Sequence, residues 1–211
     1  MFMQFHKSIL AQLPEIVKMQ LCLNITPKIA FVQFLEVGPR VQADLINCAT
    51  SITFDPNTAH PSLAVSEDRM YVESGGVQDV PDNPERFDST ACLLGSPGFT
   101  SGKHYWEVKY ENQREWAVGV AKGSVERKGY ITLTPEEGIW QEGLWWLRRM
   151  DTTSQTLPNQ PEKIGVFLDY EHGTVSFYMG SKVIRKKASF DGEKVFPFFY
   201  VGRGVWLKLI S

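Results

Sequence analysis

From Lys103 onward, hydrophobic and polar positions alternate with the period of a β-strand. His104, Trp106, Val108 and Tyr110 fall on one face of the first such run, and Lys103, Glu107 and Lys109 on the other. Trp116, Val118 and Val120 alternate with Ala117, Gly119 and Ala121, whose small side chains predict a second layer packed closely on that face. Ile164, Val166 and Leu168 repeat the pattern, as do Val175, Phe177 and Met179. Tyr170-Glu171-His172-Gly173 separates those two runs as a hairpin loop, and Gly180-Ser181 after Met179 predicts a two-residue type II′ turn. The last strand is expected over 205–209. Short alternating runs with turns between them, and no convincing helix after residue 50, predict an all-β, antiparallel sandwich. Trp106 and Trp116 are expected in its core, on strands taken to be adjacent.

The chain divides near residue 50. Before it, Phe2, Phe5, Ile9, Leu13 and Ile16 form a helical stripe that Pro14 interrupts. Lys28 then precedes the apolar run Ile29-Ala30-Phe31-Val32-Gln33-Phe34-Leu35, and Val41-Gln42-Ala43 has the small side chains of a signal-peptidase site. Residues 1–50 are therefore expected to be a leader, a signal peptide or propeptide ending near 43, and 51–211 the domain. No run reaches the roughly 18 apolar residues of a membrane span. The irregular stretches 75–89 and 150–162 are expected to be surface loops.

Composition narrows the partners. A 211-residue chain that is 43% hydrophobic can bury a core without staples. Its formal charge of −2 and pI near 6.1 give no reason to bind nucleic acid. The basic stretch 182–187 reads as a solvated strand face. Of the three cysteines, Cys92 reads as a small buried hydrophobe, while Cys48 and Cys92 would both survive removal of the leader. The sequence leaves open whether they pair.

Catalytic motifs are missing. There is no HExxH, GxSxG or Walker loop, and Gly202-Arg203-Gly204 lacks the third glycine of a dinucleotide site. His6 lies in the leader, and His60, His104 and His172 each lack a second His or Cys at metal-ligand spacing, so neither metal nor cofactor is expected. A Cys92/His104 nucleophile pair is weighed against a core or rim histidine, which the apolar company of His104 favours. Asp55, Glu107, Asp169 and Glu171 sit in strands or turns where backbone hydrogen bonding accounts for them.

Several segments in order carry a family resemblance. Ile52-Thr53-Phe54-Asp55-Pro56-Asn57-Thr58-Ala59 resembles the opening of a PRY segment, and Trp106-Glu107-Val108 and Leu168-Asp169-Tyr170-Glu171 match two SPRY hallmarks. Arg127-Lys128-Gly129-Tyr130, the run 139–149 and the run 195–202 are similar to the vespryn (ohanin-like) family of reptile venom proteins. The resemblance spans 51–210. It implies a bent β-sandwich of PRY/SPRY type and a secreted, monomeric, non-enzymatic neurotoxin that binds a neuronal protein through loops at one end. Ala59-His60-Pro61 is closer to tripartite-motif and butyrophilin versions, which implies as the alternative an intracellular protein-recognition module.

Candidate contact residues follow from composition and from the resemblance. Arginines and aromatics dominate binding hot spots. Trp145 and Trp146 are consecutive, so in a strand only one can face the core. In antibody-binding SPRY relatives the corresponding segment helps line the ligand pocket. Trp145, Trp146, Arg148 and Arg149 are thus the first candidates, set against burial of both tryptophans, with Arg114 and Tyr130 as secondary ones.

Overall fold

The computed structural model describes residues 44–110, 115–144 and 162–210. Among these residues, twelve strands form two antiparallel sheets. The strands are β1 (Thr53–Phe54), β2 (Leu63–Val65), β3 (Tyr71–Ser74), β4 (Cys92–Ser96), β5 (Lys103–Tyr110), β6 (Trp116–Lys122), β7 (Ile139–Gly143), β8 (Lys163–Asp169), β9 (Thr174–Met179), β10 (Lys182–Lys187), β11 (Val195–Val201) and β12 (Trp206–Ile210). One sheet has the order β1-β4-β11-β6-β7 and the other β10-β9-β8-β5-β12-β3-β2.

The period-two pattern decides what each face meets. Trp116, Val118 and Val120 of β6 point inward to join Trp106, Val108, Ile164, Val166, Leu168, Val175 and Phe177 from the opposite sheet in the main core. Phe54 meets Phe199 edge to face there, with ring centroids 4.8 Å apart. The alanines on the other face of β6 do carry a second layer: Ala117 and Ala121 pack with Val125, Ile131 and Leu133 of the β6–β7 connection, together with Phe87, Cys92 and Phe198. Only a small side chain lets that connection lie so close to the sheet.

Both hairpins follow the expectation. Gly173 takes φ +57° between β8 and β9, and Met179 pairs with Lys182 across Gly180-Ser181, with Gly180 at φ +58°. A positive φ at the first turn residue and not at the second is the type II′ geometry. The last strand runs one residue later than expected.

One expectation needs correction. Trp106 and Trp116 are both buried, but β5 and β6 lie in opposite sheets, because the 110–116 connection crosses between sheets instead of closing a hairpin. Cys48 and Cys92 are free thiols. Cys48 packs against Leu45, Tyr105 and Tyr178 on the outside of the larger sheet, whereas Cys92 lies under the β6–β7 connection on the outside of the smaller one. The whole sandwich separates them. Residues just before 51 also pack against the sandwich: a helical turn at 44–47 places Leu45 against Tyr105, and the Thr50 backbone N–H donates to the Tyr105 carbonyl at 2.8 Å.

Candidate protein-binding rim

Strand register gathers several connections at one end of the sandwich. The Leu144 N–H donates to the Trp116 carbonyl and the Gly202 N–H to the Glu115 carbonyl, both at 2.8 Å. Lys109 lies opposite Lys163. The Val201 N–H reaches the Ala91 carbonyl at 3.0 Å, and the Ser74 N–H the Val205 carbonyl at 2.9 Å. The residues bounding 111–114 and 145–161 therefore lie beside the turn at 202–205, the start of β4 and the end of β3. Loop 75–89 leaves from the same end.

That loop is built around a buried arginine. Arg86 donates to the carbonyls of Pro81, Pro56 and Ala59 at 2.9, 3.0 and 2.6 Å, so one guanidinium closes its own loop and ties it to the segment 56–59. A second loop, 123–134, reaches back across the smaller sheet to meet it. The Gly129 N–H donates to Asp88 Oδ1 at 2.8 Å, Lys128 Nζ meets Asp82 Oδ1 at 2.9 Å, and the Ile131 N–H reaches Thr90 Oγ1 at 3.3 Å. The Arg127 guanidinium lies over the Phe87 ring. His60 adds a clasp, with Nδ1 accepting from the Ser62 N–H at 3.1 Å and Nε2 3.0 Å from the Asp88 carbonyl.

Electrostatics fit loops fixed for display. Hydrogen bonds from Ser89 and the Gly129 N–H hold the Asp88 carboxyl below its ordinary range, and Lys128 does the same for Asp82. Burial pushes the His60 imidazole down, favouring its neutral form. On this frame Val77 is 81% exposed and Tyr130 73% exposed. Tyr130, an aromatic held outward by a hydrogen-bonded loop, has the form of a contact residue, and Val77 adds apolar area beside it.

Of the sequence-derived candidates, the structure places Tyr130 on this rim. Arg114, Trp145, Trp146, Arg148 and Arg149 lie outside the described residues, although the residues flanking them belong to the same end. Val77, Arg86 and Asp88 were not singled out by sequence reasoning, whereas Arg127 belongs to the run Arg127-Lys128-Gly129-Tyr130 that it did mark. The signal for Val77 was there, an isolated aliphatic in the polar loop 75–89; nothing local marks Arg86, whose partners lie up to 30 residues away.

The groups weighed for catalysis are occupied otherwise. The Cys92 thiol is fully buried, and burial raises it well above its ordinary range. His104 stacks on Phe99 with centroids 3.8 Å apart, its ring nitrogens bound to Thr50 Oγ1 and the Ser101 carbonyl. It belongs to the other sheet. Glu107 is buried against Lys163 and Tyr105, Asp169 binds Lys103 and His172, and Glu171 accepts from the Gly102 N–H. No cluster of three or more His, Cys, Asp or Glu suited to a metal occurs among the described residues. No helix among them is long and apolar enough to cross a membrane.

Comparison with known proteins agrees with this architecture. Residues 52–99 match the family model of the SPRY-associated domain PRY, and residues 103–210 that of the SPRY domain. Ohanin of Ophiophagus hannah is 58% identical over 157 residues, covering 74% of this chain and 83% of that protein. The chain belongs to the ohanin and vespryn family. Vespryn-21 of Drysdalia coronoides, another relative, is 56% identical over 157 residues, with 74% of this chain and 83% of that one covered. Among solved structures, stonustoxin superposes with a TM-score of 0.62 at 27% identity, over 76% of this chain and 27% of the stonustoxin chain. A SPRY domain implies protein binding.

Proposed function

We propose that the protein is a secreted toxin of the vespryn type that acts by binding a neuronal protein through the loop rim, without a catalytic step. The observation that carries the binding reading is the outward display of Val77 and Tyr130 on two loops joined by the Gly129–Asp88 hydrogen bond. Loops tied to a rigid sandwich lose little conformational entropy on binding, so their contacts convert efficiently into affinity. The venom reading is supported by the relatives named ohanin and vespryn and by the resemblance to stonustoxin. A non-catalytic mode is supported by the buried Cys92 and the pinned His104. Arg114, Trp145, Trp146, Arg148 and Arg149 are proposed to extend the same surface.

Binding to neuronal membrane preparations is the test. Tyr130→Ala, Val77→Ser and the pair Arg148→Ala/Arg149→Ala are expected to weaken binding with unchanged melting temperature. Retained binding in all three would remove the rim from the proposal. Sequencing the N-terminus of the natural protein tests secretion: a start at or near residue 44 is expected, and an intact Met1 would favour the intracellular recognition module.

A further inference from the structure

The outer face of the larger sheet is divided. Around Tyr105, Phe167 and Tyr178 it is covered by Leu45 and Cys48. Beyond Glu107 it carries Lys163, Lys109 and Lys208 in register across β8, β5 and β12, with Lys109 directly opposite both of the others. Elsewhere on β5 and β8 each lysine has a carboxylate: Lys103 meets Asp169 at 3.3 Å and Lys163 meets Glu107 at 2.9 Å. Lys109 and Lys208 are exposed and have no ion-pair partner among the described residues. Asp68 feels Lys208 only weakly, its carboxylate being engaged by the Ser66 hydroxyl and the Met70 N–H.

Like charges directly opposite on neighbouring strands repel. In a chain of net charge −2 such a pair is no by-product of a basic composition. Its surroundings are not merely solvated either. Two residues before Lys208 on the same face, the half-buried Trp206 stacks with Tyr71 at 6.0 Å, and two residues after it lies the half-buried Ile210. The two ammonium groups thus sit beside an aromatic step and an aliphatic one, with Glu73 opposite Trp206 on the same face already accepting from the Tyr71 hydroxyl.

We propose that this face docks an acidic, extended segment of a partner protein, with carboxylates over Lys109 and Lys208 and an apolar side chain against Trp206. Alternate residues of an extended chain share a face at a spacing of about 6.8 Å. Opposed strand positions stand about 5 Å apart at Cβ. The flexible lysine stems spread easily from the second distance to the first, and the intervening side chain of the guest points away. The surface lies on the outer face of the larger sheet and adjoins the rim at Lys109 and Trp206, but the proposal rests on its own residues and stands whether or not the rim binds a target.

The full chain, isotope-labelled, would be titrated by NMR with a synthetic peptide of the pattern Glu-Ser-Glu-Ser-Phe, which sets both carboxylates and the aromatic ring on one face of an extended chain, and with the Lys/Phe version, Lys-Ser-Lys-Ser-Phe, as control. Shifts are expected to concentrate at Lys109, Lys208 and the Trp206 indole N–H, and to weaken with salt. Lys109→Glu/Lys208→Glu is expected to weaken binding by about tenfold or more, since each exposed pair is modest alone. Lys109→Gln/Lys208→Gln should give an intermediate loss, and the double Arg variant should retain binding. Unchanged affinity in the charge-reversed variant with intact near-UV circular dichroism would overturn the proposal. So would equal binding of the Lys/Phe peptide, or a response only to heparin oligosaccharide or phosphatidylserine vesicles, which would make the ligand a glycan or a membrane.

Discussion

The Arg127 guanidinium lies over the Phe87 ring, its central carbon 4.8 Å from the ring centroid, and so fastens loop 123–134 onto loop 75–89. The same side chain donates from Nη2 to the Gly123 carbonyl at 3.1 Å, closing its own loop. Arg127→Ala is expected to lower stability by about 1 to 2 kcal/mol, combining a partly desolvated cation–π contact with lost packing. Hydrogen exchange at Gly129 and Ile131 should speed up more than exchange in β6. Equal acceleration in both would mean that the contact is not specific to the rim.

Trp116 bridges the two sheets, its indole stacked 3.9 Å from the ring of Tyr110 at the end of β5. Burial pushes that tyrosine up to about 12. Trp116→Ala is expected to cost about 3 to 5 kcal/mol, and Trp106→Ala a similar amount, the usual range for a large aromatic deleted from a core. Urea denaturation followed by far-UV circular dichroism reads both. A loss below about 1 kcal/mol at either site would contradict the inward orientation.

The strands were legible because a sheet buried on one face writes its period into the side chains: Trp116, Val118 and Val120 announced an inward face, and Ala117 and Ala121 a close second layer. What alternation cannot carry is pairing at a distance. The step from Tyr110 to Trp116 looks like a hairpin in sequence, yet those strands lie in opposite sheets, since either connection leaves the pattern of both strands unchanged. The rim was only partly legible for the same reason. Tyr130 stood out by type, whereas Arg86 and Asp88 act through backbone groups of remote segments that no local pattern reveals. The Cys48 and Cys92 question likewise depended on which outer face each strand presents.

The His60 clasp makes the rim sensitive to acid. The Ser62 N–H donates to Nδ1, so the ring proton resides on Nε2 and faces the Asp88 carbonyl. Burial, the largest effect, holds the imidazole below its ordinary value of 6.5, partly opposed by the Asp88 carbonyl and carboxylate. The unfolded chain therefore binds the proton more readily than the folded one. The contribution is complete above about pH 6.5 and is lost as pH falls through 6.5 toward the lower folded value. Melting curves between pH 7.5 and 5 should show a decline that His60→Gln removes, with faster exchange at the Ser62 amide of the parent protein. A decline of the same size in His60→Gln would assign it to other groups.

The buried ion pair of Glu107 and Lys163 offers a test in which single and double changes differ. Glu107 accepts from Lys163 Nζ at 2.9 Å and from the Tyr105 hydroxyl at 2.8 Å, with its side chain only 6% exposed. Removing the lysine alone strands a carboxylate away from water, and Lys163→Ala is expected to cost about 3 to 5 kcal/mol. Replacing both, as Glu107→Gln/Lys163→Met, removes the buried charges while the amide oxygen still accepts from Tyr105. Most of the loss should then return, because a buried pair replaced by neutral groups of similar size is often close to neutral in stability. Equal losses in the single and double variants at pH 7 would mean that Lys163 stabilises the sheet by packing its stem and not by neutralising Glu107.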